Sequence, residues 1–407
     1  MKNIFDENKR CCACSACYNI CPQNAITLKE DGRGFVYPKI DENKCINCGL
    51  CKKVCAFQNN KQYNQMKKQV YMACSTDKNI LLKSASGGVF ASVAREILKN
   101  GGCVYGASLE REEKNLIPKH IRVDSECDLY KLQGSKYVQC DVSEVFKLIK
   151  KDLEDNRVVL FSGTPCQVAG LRSFLKYDYE KLFTIDIICH GVPSAKFFQD
   201  YIINLENKFD IKIINFNFRD KRCGWGLTAS YEYEKNGIKK SKMISTEDSL
   251  YYKLFLESKI YRDSCYVCPY ANSNRPADIT IGDYWGIENV HPELLKKCTV
   301  KHGVSCLLIN NSKGTVILEK YCKELNVYES SYENVVKGNE QLSNPSNKPK
   351  EREIILSMYE NNGYASIEKL YKKNIKYYVK RVYNLFPNKL KKSISRLRKK
   401  KYGESNK

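Results

Sequence analysis

The chain carries one cysteine run twice. Cys11, Cys14, Cys17 and Cys21 recur as Cys45, Cys48, Cys51 and Cys55, each reading C-x-x-C-x-x-C-x-x-x-C, and Pro22 follows the first run. Three thiolates two residues apart wrap one face of an iron–sulfur cubane, while the fourth, carried past a short turn, reaches the neighbouring cubane. By that cross-over, Cys11, Cys14, Cys17 and Cys55 hold one 4Fe–4S cluster. Cys45, Cys48, Cys51 and Cys21 hold a second. The second run closes on Cys55-Ala56 rather than Cys-Pro, a small departure because proline is not a ligand. Zinc is the competing reading, but a zinc site closes with four ligands and has no use for the interleaved third cysteine. A chain so equipped moves single electrons.

Residues 1–59 are thus expected to form a two-cluster, ferredoxin-like domain, with Asp31-Gly32-Arg33-Gly34 as the turn between its halves. At 407 residues the chain exceeds one ordinary domain. A polar linker spans 60–69. From 70 to 338 strand and helix patterns alternate: a strand at Val70–Cys74, a helix over Gly87–Lys99, a helix over Ser143–Glu154 capped by Ser143, and a hairpin turning at Asn236-Gly237. The expected fold is α+β or α/β, a cluster domain followed by an α/β body whose functional loops lie at strand ends. With strands and helices of its own, that body is expected to fold without the first sixty residues. A polar linker at 339–350 (NEQLSNPSNKPK) precedes a basic, helical, amphipathic tail at 351–407.

A hydrophobic fraction of 43% and a charged fraction of 28% describe a globular protein. No stretch approaches the roughly 18 apolar residues of a membrane span. The opening MKNIFDENKR lacks a secretory apolar core. Twenty-one cysteines without an export signal point to a reducing compartment, the cytoplasm. The net charge of +22 is concentrated at the end: residues 367–407 hold 15 Lys and Arg against two acids. The body therefore needs no nucleic-acid partner. In the tail, Ile375, Tyr378, Val379, Val382 and Phe386 share one helical face, and Leu390, Ile394 and Leu397 form a second stripe. Such a pattern suits peripheral contact with the anionic inner membrane surface. A solvated tail or a helix docked on the body is the alternative.

Four more cysteines sit at turns: Cys166 after Gly163-Thr164-Pro165, Cys189 at a strand end, and Cys265 with Cys268 as a C-x-x-C before Pro269. Together they suit a third 4Fe–4S cluster. Spacing alone leaves buried free thiols, zinc or a redox dithiol open. The other nine, Cys12 among them, show no pattern and read as small core residues. The turn Ser84-Ala85-Ser86-Gly87-Gly88 before a helix would aim backbone N–H groups at a phosphate, or simply cap that helix. Arg219, Lys221 and Arg222 beside Trp225 suit an anionic, planar ligand, or form a solvated basic loop.

The ordered motifs SASGGVF, GSKY, GTPCQVAGL, CHGVPS, FRDKRCGW, CYVCPYAN and DITIGDYWG resemble the coenzyme F420 hydrogenase/dehydrogenase beta-subunit family over residues 68–325. The resemblance implies FAD and a 4Fe–4S cluster held by Cys166, Cys189, Cys265 and Cys268. It places Ser86, Gly87, Gly88, Lys136, Thr164, Pro165, Gln167, Asp283 and Trp285 at the flavin. Lys136, His190 and Asp283 become catalytic candidates because they lie in or beside matched motifs. The expected function is an iron–sulfur flavoprotein oxidoreductase. It would take electrons from a ferredoxin or a partner oxidoreductase subunit and pass them through FAD to a small two-electron acceptor, with F420 one such substrate. The rivals are an electron-transfer subunit with no substrate of its own and a zinc-binding, cysteine-rich interaction protein.

Overall fold

Short, near-continuously buried runs such as Val159–Gly163, Leu182–Ile187 and Ser305–Ile309 set the main sheet first, in a computed structural model that describes residues 4–5, 10–59, 63, 68–113, 115–296 and 300–372. In the N-terminal unit β1 (Ile26–Glu30) and β2 (Val36–Ile40) pair antiparallel across the Asp31–Gly34 turn. There follow β3 (Gln69–Ser75), β4 (Cys103–Glu112), β5 (Asn115–Val123), β6 (Val159–Gly163) and β7 (Leu182–Ile187). Next come β8 (Lys212–Asn217), β9 (Ala229–Lys235) and β10 (Ile238–Ile244), a three-stranded sheet of their own. The last strands are β11 (Ile279–Asp283), β12 (Ser305–Ile309) and β13 (Leu325–Ser330). The main sheet runs β13-β3-β12-β11-β7-β6-β4-β5. Its centre, β4, β6, β7 and β11, is parallel, and both flanks are antiparallel.

A parallel centre must be covered on both faces. Val104 and Leu160 point to the face covered by the Val89–Lys99 and Ser312–Tyr321 helices. Their neighbours Tyr105, Val159 and Phe161 point to the opposite face and pack with Phe146, Ile149, Leu171 and Phe174 of the Val145–Glu154 and Pro165–Leu175 helices. The cluster unit joins that second layer: Ile4, Phe5, Ile26 and Val54 lie in the same core. The Asn236-Gly237 turn behaves as expected, with φ of 53° and 76° joining β9 to β10.

Several expectations need correction. The helix expected from Gly87 starts at Val89, because Gly88 has φ 84° and serves as its N-cap. Ser143 is not a cap: its helix begins at Val145, and the Ser143 hydroxyl donates to Asp141 at 2.7 Å. The polar segment 339–350 packs on the body. Its amides and hydroxyls find carbonyl partners there, Asn339 Nδ2 on Asp283 O (3.1 Å) and Ser346 Oγ on His190 O (2.6 Å). The tail begins as two docked helices, Glu351–Asn362 and Tyr364–Lys372, whose Ile355, Leu356, Tyr359 and Ile367 are buried against the Ala195–Phe209 helix and β8–β9. The expected stripes at Ile375–Phe386 and Leu390–Leu397 lie outside the described residues. Among the described residues no helix is long and apolar enough to cross a membrane.

Candidate functional site

Three cysteine sets each border one small cavity. Cys11, Cys14, Cys17 and Cys55 face the first, and Cys21, Cys45, Cys48 and Cys51 face the second. Each cavity thus borders three cysteines of one run and the last cysteine of the other. Cys166, Cys189, Cys265 and Cys268 face a third cavity, drawn together from two strand-end turns and a short 3-10 segment (Asp263–Val267). Among the described residues no three His, Cys, Asp or Glu side chains close on a single metal ion. Burial pushes the Cys265 thiol up to about 12 and Cys268 up to about 11. Such thiols stay protonated until a cationic core displaces the protons.

Cys12, expected as core filler, borders the first cavity, the third and the large one described below. Its thiol hydrogen-bonds Cys14 and Cys166, which lowers Cys166 from the ordinary thiol value. No sequence spacing marks it, since it merely follows Cys11. Gly170 brings the Pro165–Leu175 helix against the first cavity: a Cβ there would meet Cys14 Cβ and Sγ at 2.8 Å. Gly170→Ala is therefore expected to destabilise the protein by about 1–3 kcal/mol through overpacking and to alter the spectrum of the adjoining cluster. Denaturant unfolding and low-temperature electron paramagnetic resonance (EPR) check this. Wild-type values in both would mean the Cys14 loop yields freely.

A larger cavity of about 420 Å³ opens at the carboxyl ends of β6, β7 and β11, where open α/β sheets bind ligands. It shares Thr164, Cys189 and His190 with the third cysteine cavity. Ser86, Gly88, Lys136, Thr164, Gln167, Asp283 and Trp285 line it. Two expected residues do not. A Cβ on Gly87 would strike Ala73 O at 2.3 Å, so this glycine exists for contact with β3 and β12, not for a ligand. Pro165 borders the third cysteine cavity instead.

Most polar candidates are already engaged. Lys136 Nζ donates to the carbonyls of Lys131, Gln133 and Gly134 at 3.2, 2.7 and 3.3 Å, and desolvation lowers its pKa to about 8. Gln167 Oε1 accepts from Thr164 N–H (2.9 Å) as a capping partner, and its Nε2 donates to Cys140 O. Asp283 accepts both Arg219 Nη groups (2.8 and 3.1 Å) and Trp225 Nε1 (2.6 Å). Arg219 also donates to Tyr137 OH, and Trp225 stacks on Trp285 at 4.7 Å. The basic loop divides: Arg219 reaches the cavity, Arg222 pairs with Asp220, and Lys221 Nζ donates to Leu81 O, Ser86 O and His302 O, pinning the Ser84–Gly88 turn.

What remains for a ligand is specific. His120 Nδ1, Gln133 Nε2 and Arg219 Nε are buried atoms of cavity-lining side chains with no protein partner among the described residues. Desolvation lowers His120 to about 4, and its Nε2–H donates to Ser162 O, so Nδ1 of the neutral ring is an acceptor. The Val89–Lys99 helix has no side-chain cap, leaving its first-turn N–H groups at the cavity edge. This donor and acceptor set, with Trp285 (backed by the stacked Trp225) on one wall, fits a large polar aromatic ligand with an anionic arm, the chemistry that a flavin dinucleotide would offer. His120, Gln133 and Asn339 were not legible as lining residues, because they reach the cavity from strand β5 and from two turns distant in sequence.

Cysteine cavities packed beside a strand-end cleft define an iron–sulfur electron-transfer protein. Residues 10–59 match the family described as 4Fe-4S dicluster domain, and residues 156–334 match the family described as the C terminus of the coenzyme F420 hydrogenase/dehydrogenase beta subunit. The chain thus carries a domain of the F420 hydrogenase/dehydrogenase beta-subunit family behind a dicluster domain. The motifs SASGGVF and GSKY lie ahead of the second matched range. A coenzyme F420-dependent sulfite reductase of Methanocaldococcus jannaschii is 27% identical over 58% of this chain and 36% of its own length. One of the subunits of an F420H2 dehydrogenase of Methanosarcina mazei is 24% identical over 52% of this chain and 60% of its own. The chain therefore spans between about a third and three fifths of these two relatives. An F420-reducing NiFe hydrogenase complex from Methanosarcina barkeri contains a chain that superposes with a TM-score of 0.43 at 17% identity, over 77% of this chain and 94% of that one. So low a score carries no weight here.

Proposed function

We propose that the protein is an iron–sulfur flavoprotein oxidoreductase that passes electrons from the N-terminal clusters through a third 4Fe–4S cluster to FAD, and from there to a two-electron acceptor such as F420. The observation that carries this reading is the contiguity of the sites. Cys12 borders the first cysteine cavity, the third and the large one, and the last two share Cys189 and His190. The named relatives, both F420-linked, support the redox class and the choice of acceptor.

Entry is proposed at the second cysteine cavity. Cys48 is exposed there, Ile46 is 60% exposed, and the exposed Lys39, Lys44, Lys52 and Lys53 flank them along the chain. An apolar contact among basic side chains suits an acidic one-electron carrier such as a ferredoxin, or an acidic face of a partner oxidoreductase subunit. A flavin bound in the large cavity would join one-electron supply to two-electron delivery. The chain's own residues do the rest. Arg219, held by Asp283 and Tyr137, presents a fixed cation to the anionic part of the ligand. The uncapped Val89–Lys99 helix offers backbone donors to a phosphate. His190 lines both cavities, and no hydrogen bond among the described residues holds its imidazole. Its ring is the proposed carrier of the proton that accompanies hydride-equivalent transfer.

Ala107 lines the cavity and is only partly buried, so Ala107→Trp fills ligand space without disturbing the core. The expected result of anaerobic purification is that FAD affinity falls by about tenfold or more while iron content stays at the wild-type level. Stoichiometric FAD in that variant would remove the flavin from this cavity.

A further inference from the structure

Two arginines border the third cysteine cavity, and they are neutralised differently. Arg275 donates to Asp186 at 2.9 Å, with both side chains at most 1% exposed. Arg262 is also 1% exposed, yet among the described residues no carboxylate lies within salt-bridge distance of it. Its three donor groups all meet neutral oxygens: Nη1 on Cys11 O at 3.0 Å, Nη2 on Val36 O at 2.8 Å and Nε on Gln139 Oε1 at 3.0 Å. The rings of Tyr37 and Phe35 lie 4.7 and 5.1 Å away and soften the field without cancelling the charge.

A buried charge without a counter-charge is among the costliest things a fold can contain. A guanidinium cannot escape by losing its proton. The missing negative charge must therefore come from what the cavities are built to hold. Arg262 touches the first cysteine site through the Cys11 carbonyl and borders the third directly.

We infer that Arg262 is a shared counter-cation for the first and third 4Fe–4S clusters, which raises the reduction potential of both relative to that of the second cluster. The inference rests on the third cluster proposed above. A cubane with four thiolates carries a net charge of about −2, and one-electron reduction adds another negative charge. A fixed cation beside it favours the reduced form and pulls electrons inward from the exposed second cluster. Arg262 is a positioning and tuning residue rather than a ligand.

The test is a dithionite titration of the full-length holoprotein followed by EPR, with iron analysis alongside. In Arg262→Met, the reduced-to-oxidised ratio of the first and third clusters at a given potential should fall by about tenfold, or about 59 mV for a one-electron couple. The second cluster should not move. Arg262→Lys keeps the charge and loses the fork, so its potentials should stay near wild type even where some iron is lost. Unchanged potentials in a fully loaded Arg262→Met protein would overturn the inference. So would a Lys variant shifted as far as the Met variant. Only about eight irons per wild-type chain would remove the third cluster, and with it any shared role, while a shift confined to the first cluster would still be readable.

Discussion

Replacing Cys265 and Cys268 together by alanine is expected to lower the iron content of the anaerobically purified protein from about twelve to about eight per chain. Both thiols face one cavity with Cys166 and Cys189, and a cubane deprived of two of four ligands is not retained. The N-terminal clusters should survive, since Cys11, Cys14, Cys17 and Cys55 and the set around Cys45 border separate cavities. Electron delivery to the large cavity should collapse, because its shared wall with the third site, at Cys189 and His190, is where the relay would end. Chemical reductants small enough to enter that cavity should still reduce bound flavin. Iron analysis with stopped-flow reduction separates the two effects. A wild-type preparation with only about eight irons, unchanged by the double substitution, would refute the third cluster.

The local parts of this architecture were readable because their chemistry repeats at short range. The eight cluster cysteines follow from spacing alone, and so does their exchange between the two runs. Asn236-Gly237 announced its hairpin through the positive φ that both residues tolerate. The Cys265/Cys268 pair was visible, but its meeting with Cys166 and Cys189 depends on strands β6 and β7 lying side by side, which no spacing encodes. Arg262 was invisible for the same reason: its acceptors belong to residues 11, 36 and 139, distant in sequence, and two of the three are main-chain carbonyls, which leave no mark on a sequence. Segment 339–350 misled in the opposite sense. Its polar composition matches a solvated linker, whereas Asn339 and Ser346 are buried donors to the end of β11 and to the loop after β7. Lys136, Gln167 and Asp283 carry the right chemistry for a site, but each is held by another protein group and so shapes the cavity more than it serves a ligand.

Deleting residues 1–59 is expected to abolish folding of the remainder, contrary to the independence that its complete set of strands and helices suggests. Ile4, Phe5, Ile26 and Val54 belong to the same buried core as Phe146, Ile149 and Phe174, and Phe35 packs into the core around the Ala195–Phe209 helix. At about 1.5–3 kcal/mol for each fully buried side chain, these five contribute about 7–15 kcal/mol. That matches the whole stability of an ordinary domain, about 5–15 kcal/mol. Polar losses add to this. Arg262 would surrender the Cys11 and Val36 carbonyls and be left as a buried cation, and Glu353 and Glu360 would lose Arg33. The 60–407 fragment should therefore be recovered as aggregate, or as soluble protein without a cooperative thermal transition. Fitting polar residues over the exposed face of Phe146, Ile149 and Phe174 would be needed to rescue it. A soluble fragment that melts cooperatively and binds FAD would show instead that the shared core is dispensable and that the cluster unit is a docked accessory. The expected outcome ties the proposed relay to the fold: the first cysteine cavity is built into the wall of the body, and Cys12 borders both it and the third cavity.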